Sequence, residues 1–323
     1  MTLFQTLGLP LLADGQARAP ELPAVAGRPA VVRVVLADLD GWFEAAVTLQ
    51  TELGEQVFTS RDSSGPELVV PLDATAVRPG AALAVAVRQP ETGRVVARYP
   101  ESGSVPLWVE ETGGLKVHLV PFQVAGFVPD TSPDVIDGYR DALMAVYPVT
   151  DVQVTVGEVD DTFDAGPLDM GDLLVHLGVV QEQIDRAPQD VYYYGMVTGA
   201  PSREAFCASC PTGTSESGLG IRAAFAVGAA FGDARAEDTL IHEVGHMHGL
   251  LHAPCGGAGD VDVRFPDPAG GATEGWDLRT DTFVPATYHD LMGYCFPRWI
   301  HAYHYAQLID WVQFAQGWSD TEP

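Results

Sequence analysis

The chain has 323 residues, 46% hydrophobic and 19% charged, an ordinary globular composition with room for about two domains. Its 44 acids against 17 bases leave a net charge of −27. That sign argues against nucleic acid and anionic membrane surfaces as partners, since both require Lys/Arg patches. No apolar run reaches the ~18–20 residues of a membrane span.

The opening segment, MTLFQTLGLPLLADG, has no basic n-region and no small-residue cleavage site, so it does not read as a signal peptide. Two readings follow: a cytoplasmic protein, or an exported one whose leader has been removed. From there to about residue 114 the sequence reads as strands. Val-rich runs at 29–36, 44–51, 67–72, 81–88 and 94–100 are separated by Gly, Pro and Asp clusters. This spacing predicts an Ig-like β-sandwich over 1–114, with Gly113-Gly114 as its exit.

Residues 115–323 mix types. Strands are expected at 115–124, 151–159, 191–197 and 221–227. Helices are expected at Pro133–Tyr147, Asp172–Ala187, Asp233–His248 and Ala302–Gln316. The pattern predicts an α/β or α+β domain. The acidity concentrates here: net −6 over 1–114 (14 acids, 8 bases) against −21 over 115–323 (30 acids, 9 bases).

Four of the nine histidines fall within eleven positions, at His242, His246, His248 and His252. The segment His242-Glu243-Val244-Gly245-His246-Met247-His248-Gly249-Leu250-Leu251-His252 contains H-E-x-x-H, extended to H-E-x-x-H-x-x-G-x-x-H. Residues four apart share a helix face about 5–6 Å apart, so His242 and His246 can bind one ion. Glu243, one step round, can reach a metal-bound water without ligating. Gly249 stands where the helix must end, and glycine tolerates the left-handed cap. The turn returns His252 as a third ligand and leaves a fourth position open, as catalytic zinc requires. Asp233 suits the N-cap. His248 points off the ligand face and suits a structural role.

This pattern resembles the metzincin clan of zinc metalloproteases. The clan's Met-turn has a counterpart in Asp290-Leu291-Met292-Gly293-Tyr294-Cys295. The resemblance implies an α+β metzincin-like catalytic domain over 115–323, with a mixed sheet, an active-site helix and a C-terminal helix. It implies one Zn²⁺ on His242, His246 and His252, with Glu243 as general base. Met292 would be an apolar floor and Tyr294 an oxyanion donor. A strand just before the active-site helix, such as 221–227, would pair with extended substrate. His252-Ala253-Pro254-Cys255 and Met292-Gly293-Tyr294-Cys295 are also similar to bacterial secreted proteases of the mucin-degrading type. The implied protein is a secreted, cell-surface or periplasmic endopeptidase, monomeric, acting on proteins or glycoproteins. The strong acidity sits poorly with a sialylated, anionic substrate. The competing reading is a non-catalytic binding module for glycans or proteins, braced by zinc.

If Met292 lies under the metal, Cys255 and Cys295 come close enough for a disulfide. Cys207 and Cys210 would form a small ring. Against these stand a C-x-x-C redox pair and a Cys₄ zinc site. Two acidic groups remain: Glu158, Asp160, Asp161, Asp164, Asp169 and Asp172; and Asp260, Asp262, Asp267, Glu274, Asp277 and Asp281. They read either as Ca²⁺ sites bracing loops or as solvated charge.

Overall fold

The computed structural model describes all residues except 37–41, 61–65, 164–167, 186–189, 207–211, 217–223 and 320–323. The chain forms two compact units: residues 1–112 with 273–285, and residues 113–272 with 286–323. No helix among the described residues is long and apolar enough to cross a membrane.

The first unit is all β. Strands β1 (Thr2–Phe4), β2 (Gly8–Pro10), β3 (Ala30–Val35) and β6 (Glu67–Leu72) form one antiparallel sheet in the order β2-β1-β3-β6. Strands β4 (Glu44–Thr51), β5 (Gly54–Thr59), β7 (Ala82–Arg88) and β8 (Val95–Tyr99) form the other, in the order β8-β7-β4-β5, with Val105–Pro106 beside β7. Alternation decides the inward face. Leu68, Val70 and Leu72 are buried while Glu67, Val69 and Pro71 are not. Val32, Val47, Leu49, Val70, Leu83 and Val85 share one core, so the two sheets bury a common face.

The composition-based boundary misses one piece of this unit. The hairpin Gly275–Asp277/Thr282–Val284 lies far down the sequence but belongs here. Trp276 packs with Phe4 and Val31. Arg33 lies over the rings of Phe4 and Phe283, 4.6 and 4.7 Å from their centroids, and pairs with Glu274 at 2.8 Å. Nothing local in 273–285 announces that partner.

The second unit is mixed α/β. Its strands are β9 (Gly114–Pro121), β10 (Asp151–Val156), β11 (Val191–Val197), β12 (Gly213–Ser215) and β13 (Phe225–Ala229). Their order is β10-β9-β11-β13-β12. All neighbours are parallel except β12, which runs antiparallel to β13 at the sheet's edge. The helices are α1 (Pro133–Val146), α2 (Met170–Asp185), α3 (Arg203–Phe206), α4 (Ala234–Met247) and α5 (Ala302–Ser319). Tyr193 and Val197 of β11 share a core with Leu173 and Leu177 of α2. Tyr192 instead stacks on His248, just past α4. Since strand side chains alternate, α2 and α4 cover opposite faces.

Of the expected strand at 221–227, residues 225–227 lie in β13, and 221–223 lie outside the described residues. More consequentially, β13 has neighbours on both sides. It therefore has no free edge, and β12 is the outermost strand on that side among the described residues.

Candidate metal centre

Helix α4 is fixed at both ends by local chemistry. The Asp233 carboxylate accepts from Ala236 N at 2.9 Å, a side-chain N-cap. Arg203 holds the same carboxylate, and hydrogen bonding from that guanidinium keeps Asp233 below the usual carboxylate range. At the other end Gly249 has φ +79°. Gly249 N donates to His246 O at 2.8 Å and Leu250 N to Gly245 O at 3.1 Å, the paired bonds of a Schellman cap. The chain therefore leaves the helix abruptly and carries His252 back towards it.

His242, His246 and His252 each offer a ring nitrogen within 4.8 Å of the others. The remaining ring nitrogens decide the chemistry. Nδ1 of His242 bonds Leu291 O (2.9 Å), Nδ1 of His246 bonds Leu250 O (2.8 Å), and Nδ1 of His252 bonds Gly259 O (2.5 Å). A carbonyl oxygen can only accept, so each Nδ1 carries the proton. Burial disfavours a second proton on all three rings and lowers His246 to about 4. The Nε2 atoms are then three acceptors. Those of His246 and His252 stand 3.0 Å apart with no proton to share. Such facing lone pairs suit a cation between them, and three neutral imidazoles suit zinc.

Glu243 is 5% exposed and lines a cleft of about 190 Å³ with the three histidines, Tyr294, Asp260 and the edge strand β12. Burial pushes its carboxyl up to about 8, and the positive charge of Arg298 opposes that rise. Gly213 of β12 lies so close that a Cβ there would stand 2.5 Å from Glu243 Oε1. Only glycine lets the edge strand approach this carboxylate.

Met292 is fully buried beneath the helix. A Cβ at Gly245 would meet its sulfur at 2.6 Å, so the glycine inside H-E-V-G-H makes room for the floor. Tyr294 is half exposed, and its hydroxyl is 3.3 Å from His252 Nε2. Cys255 and Cys295 form a disulfide with Cα atoms 5.6 Å apart. Next to it, Tyr294 N donates to Cys255 O at 3.0 Å and Ala253 N to Met292 O at 3.2 Å. The disulfide takes two of the four thiols that a Cys₄ zinc site needs. Cys207 and Cys210 lie outside the described residues. His248 is fully buried, bonds Val244 O through Nδ1 and stacks on Tyr192 at 4.5 Å, so it braces α4 on the side away from the cleft.

Sequence reasoning missed the support under Met292. Asp290 is fully buried and accepts from Met292 N, His301 N and His304 Nδ1, each at 2.8 Å. His304, from α5, is equally buried. Arg298 donates to Leu291 O and Gly293 O, and Leu291 O is also the acceptor for His242. The only sequence signal was a carboxylate two residues before Met292.

Nothing in the structure supports the Ca²⁺ alternative for the acidic groups. Among the described residues no three acids converge, and Asp164 lies outside them. Several of the carboxylates have partners of their own. Asp160 takes Thr162 and His176. Asp169 takes the amides of Gly171 and Asp172. Asp262 takes Arg264 and Tyr303. Asp267 takes the amides of Ala269 and Gly271. Asp277 takes Arg279, and Asp281 takes Trp276.

Residues 203–295 match the family model Peptidase M66. The match spans β12, β13, the whole of α4, His252, Met292, Tyr294 and the Cys255–Cys295 disulfide. It supports a metalloprotease family, and with it a peptidase that uses a metal ion and acts on protein. No curated protein matches the chain.

Proposed function

We propose that the second unit is a metzincin-type zinc endopeptidase. The observation that carries this reading is the set of three Nδ1–carbonyl hydrogen bonds, which leaves three Nε2 acceptors pointing at one another. His242, His246 and His252 would hold the ion. Bound there, zinc would supply a Lewis acid that polarises the scissile carbonyl and lowers the pKa of a water to about 7. Glu243 would take that water's proton on its carboxylate and return it to the leaving amine. The Tyr294 hydroxyl would donate to the oxyanion that forms on the carbonyl oxygen. The β12 edge would hold an extended substrate by backbone pairing. An exported setting goes with this reading, supported by the disulfide, since such bonds are rare in reducing compartments.

A zinc-braced binding module is disfavoured by Glu243. A carboxylate that ligates nothing, is buried, and faces an open cleft has no role in a purely structural site, which closes with a fourth protein ligand. A glycoprotein substrate fits only where its glycans are not strongly anionic, because the cleft itself carries acids.

The test is Glu243→Ala. Cleavage of a protein substrate falls by about 10²–10⁴-fold, the scale of general-base loss, while metal content is unchanged. Undiminished cleavage would sink the mechanism.

A further inference from the structure

Seven carboxylates lie between His252 and Met292. Six of them are engaged by the chain's own guanidinium, indole, hydroxyl, imidazole or amide groups. They include Asp262 on Arg264, Glu274 on Arg33 and Asp290 on His304. Asp260 is the exception: among the described residues its side chain makes no hydrogen bond and no ion pair. It is also the one of the seven that lines the cleft, beside His252, Tyr294 and Glu243.

Its position is held from both sides. Gly259 O accepts from His252 Nδ1, and Asp262 N donates to His252 O at 2.9 Å, so the residues flanking Asp260 are tied to the third histidine. Asp260 itself has φ +46°, a left-handed conformation that Asp adopts more readily than most side chains. A fixed loop thus presents an exposed, unpartnered carboxylate at the site of chemistry. Among the described residues no Lys or Arg lines the cleft to answer it. The charge of −21 over 115–323 adds long-range attraction for cations.

We propose that Asp260 is a specificity-determining residue that receives a basic side chain, Lys or Arg, of the substrate next to the scissile bond. This rests on the endopeptidase reading of the same cleft and names the substrate class: protein segments with a basic residue flanking the cleaved bond. A lysine or arginine held there meets a carboxylate with no competing internal partner. An acidic or sialylated residue at that subsite meets both Asp260 and Glu243.

The test uses the full chain with one equivalent of zinc and peptides identical except for Lys, Gln or Glu at each position around the cleaved bond. Cleavage favours Lys over Gln by about tenfold at one fixed position and Gln over Glu there, the scale of a close charge pair in a cleft. Asp260→Asn removes the preference, so that the Lys and Gln peptides are cleaved at equal rates by that variant. Asp260→Lys reverses it towards Glu. Binding gives a second readout: Glu243→Ala binds a fluorescent Lys peptide more tightly than its Glu counterpart, and the double variant with Asp260→Asn does not. Cleavage indifferent to charge, or a Lys preference that survives Asp260→Asn, overturns this proposal alone. No cleavage of any peptide by the zinc-loaded wild type overturns the endopeptidase reading and this one with it.

Discussion

His242, His246 and His252 stand where they do because of one helix and the turn that ends it, whereas Met292 and Tyr294 are placed by contacts between distant parts of the chain. The helix half is local: four-residue spacing, an Asp233 cap at the start and a Gly249 cap at the end. The floor half is assembled from three segments. Asp290 ties Met292 to His301 and His304, Arg298 holds the carbonyl that orients His242, and a disulfide joins the exit of the ligand turn to Cys295. The lesson is that the half easiest to see in sequence depends on the half that is hardest to see. Leu291 O, a floor atom, fixes the tautomer of His242, a helix residue.

The largest loss is expected on the floor side. Asp290→Ala leaves the buried Met292 amide, the His301 amide and His304 without their acceptor. Removing one member of such a buried set costs about 3–5 kcal/mol, so urea unfolding should show that loss, with Asp290→Asn losing less. A cost near zero would mean that the floor is held by the disulfide alone. On the helix side the expected effect is smaller. Gly249→Ala places a Cβ at φ +79° and should cost about 1–2 kcal/mol in the same assay. If Gly249→Ala costs more than Asp290→Ala, the ranking of local and long-range supports is reversed.

The same division explains what the sequence could convey. Helix α4, its caps and the ligand spacing follow from local rules, and the observed span Ala234–Met247 lies within one residue at each end of the expected Asp233–His248. Val-rich alternation likewise located β3, β4, β6, β7 and β8. Three features escaped. The edge strand β12 is three residues long, Gly-Thr-Ser, with no apolar period to read. The hairpin at 275–284 is recognisable only through Arg33, Phe4 and Thr6, more than two hundred residues away. The acids at 260–281 looked like one cluster in sequence, yet the fold distributes them to separate partners and leaves Asp260 in the cleft. In each case the deciding contact is non-local, and composition carries no record of it.

In the proposed metal centre three Nε2 atoms hold one ion while Glu243 does not ligate it. Elemental analysis of the purified chain, its Glu243→Ala variant and its His252→Ala variant tests it most directly. About one zinc per chain is expected in the wild type and in Glu243→Ala, and a metal affinity about 10²-fold weaker in His252→Ala, since removing a histidine that touches the ion costs no less than removing a residue that only orients one. Zinc retained in full by His252→Ala, or lost from Glu243→Ala, would contradict it.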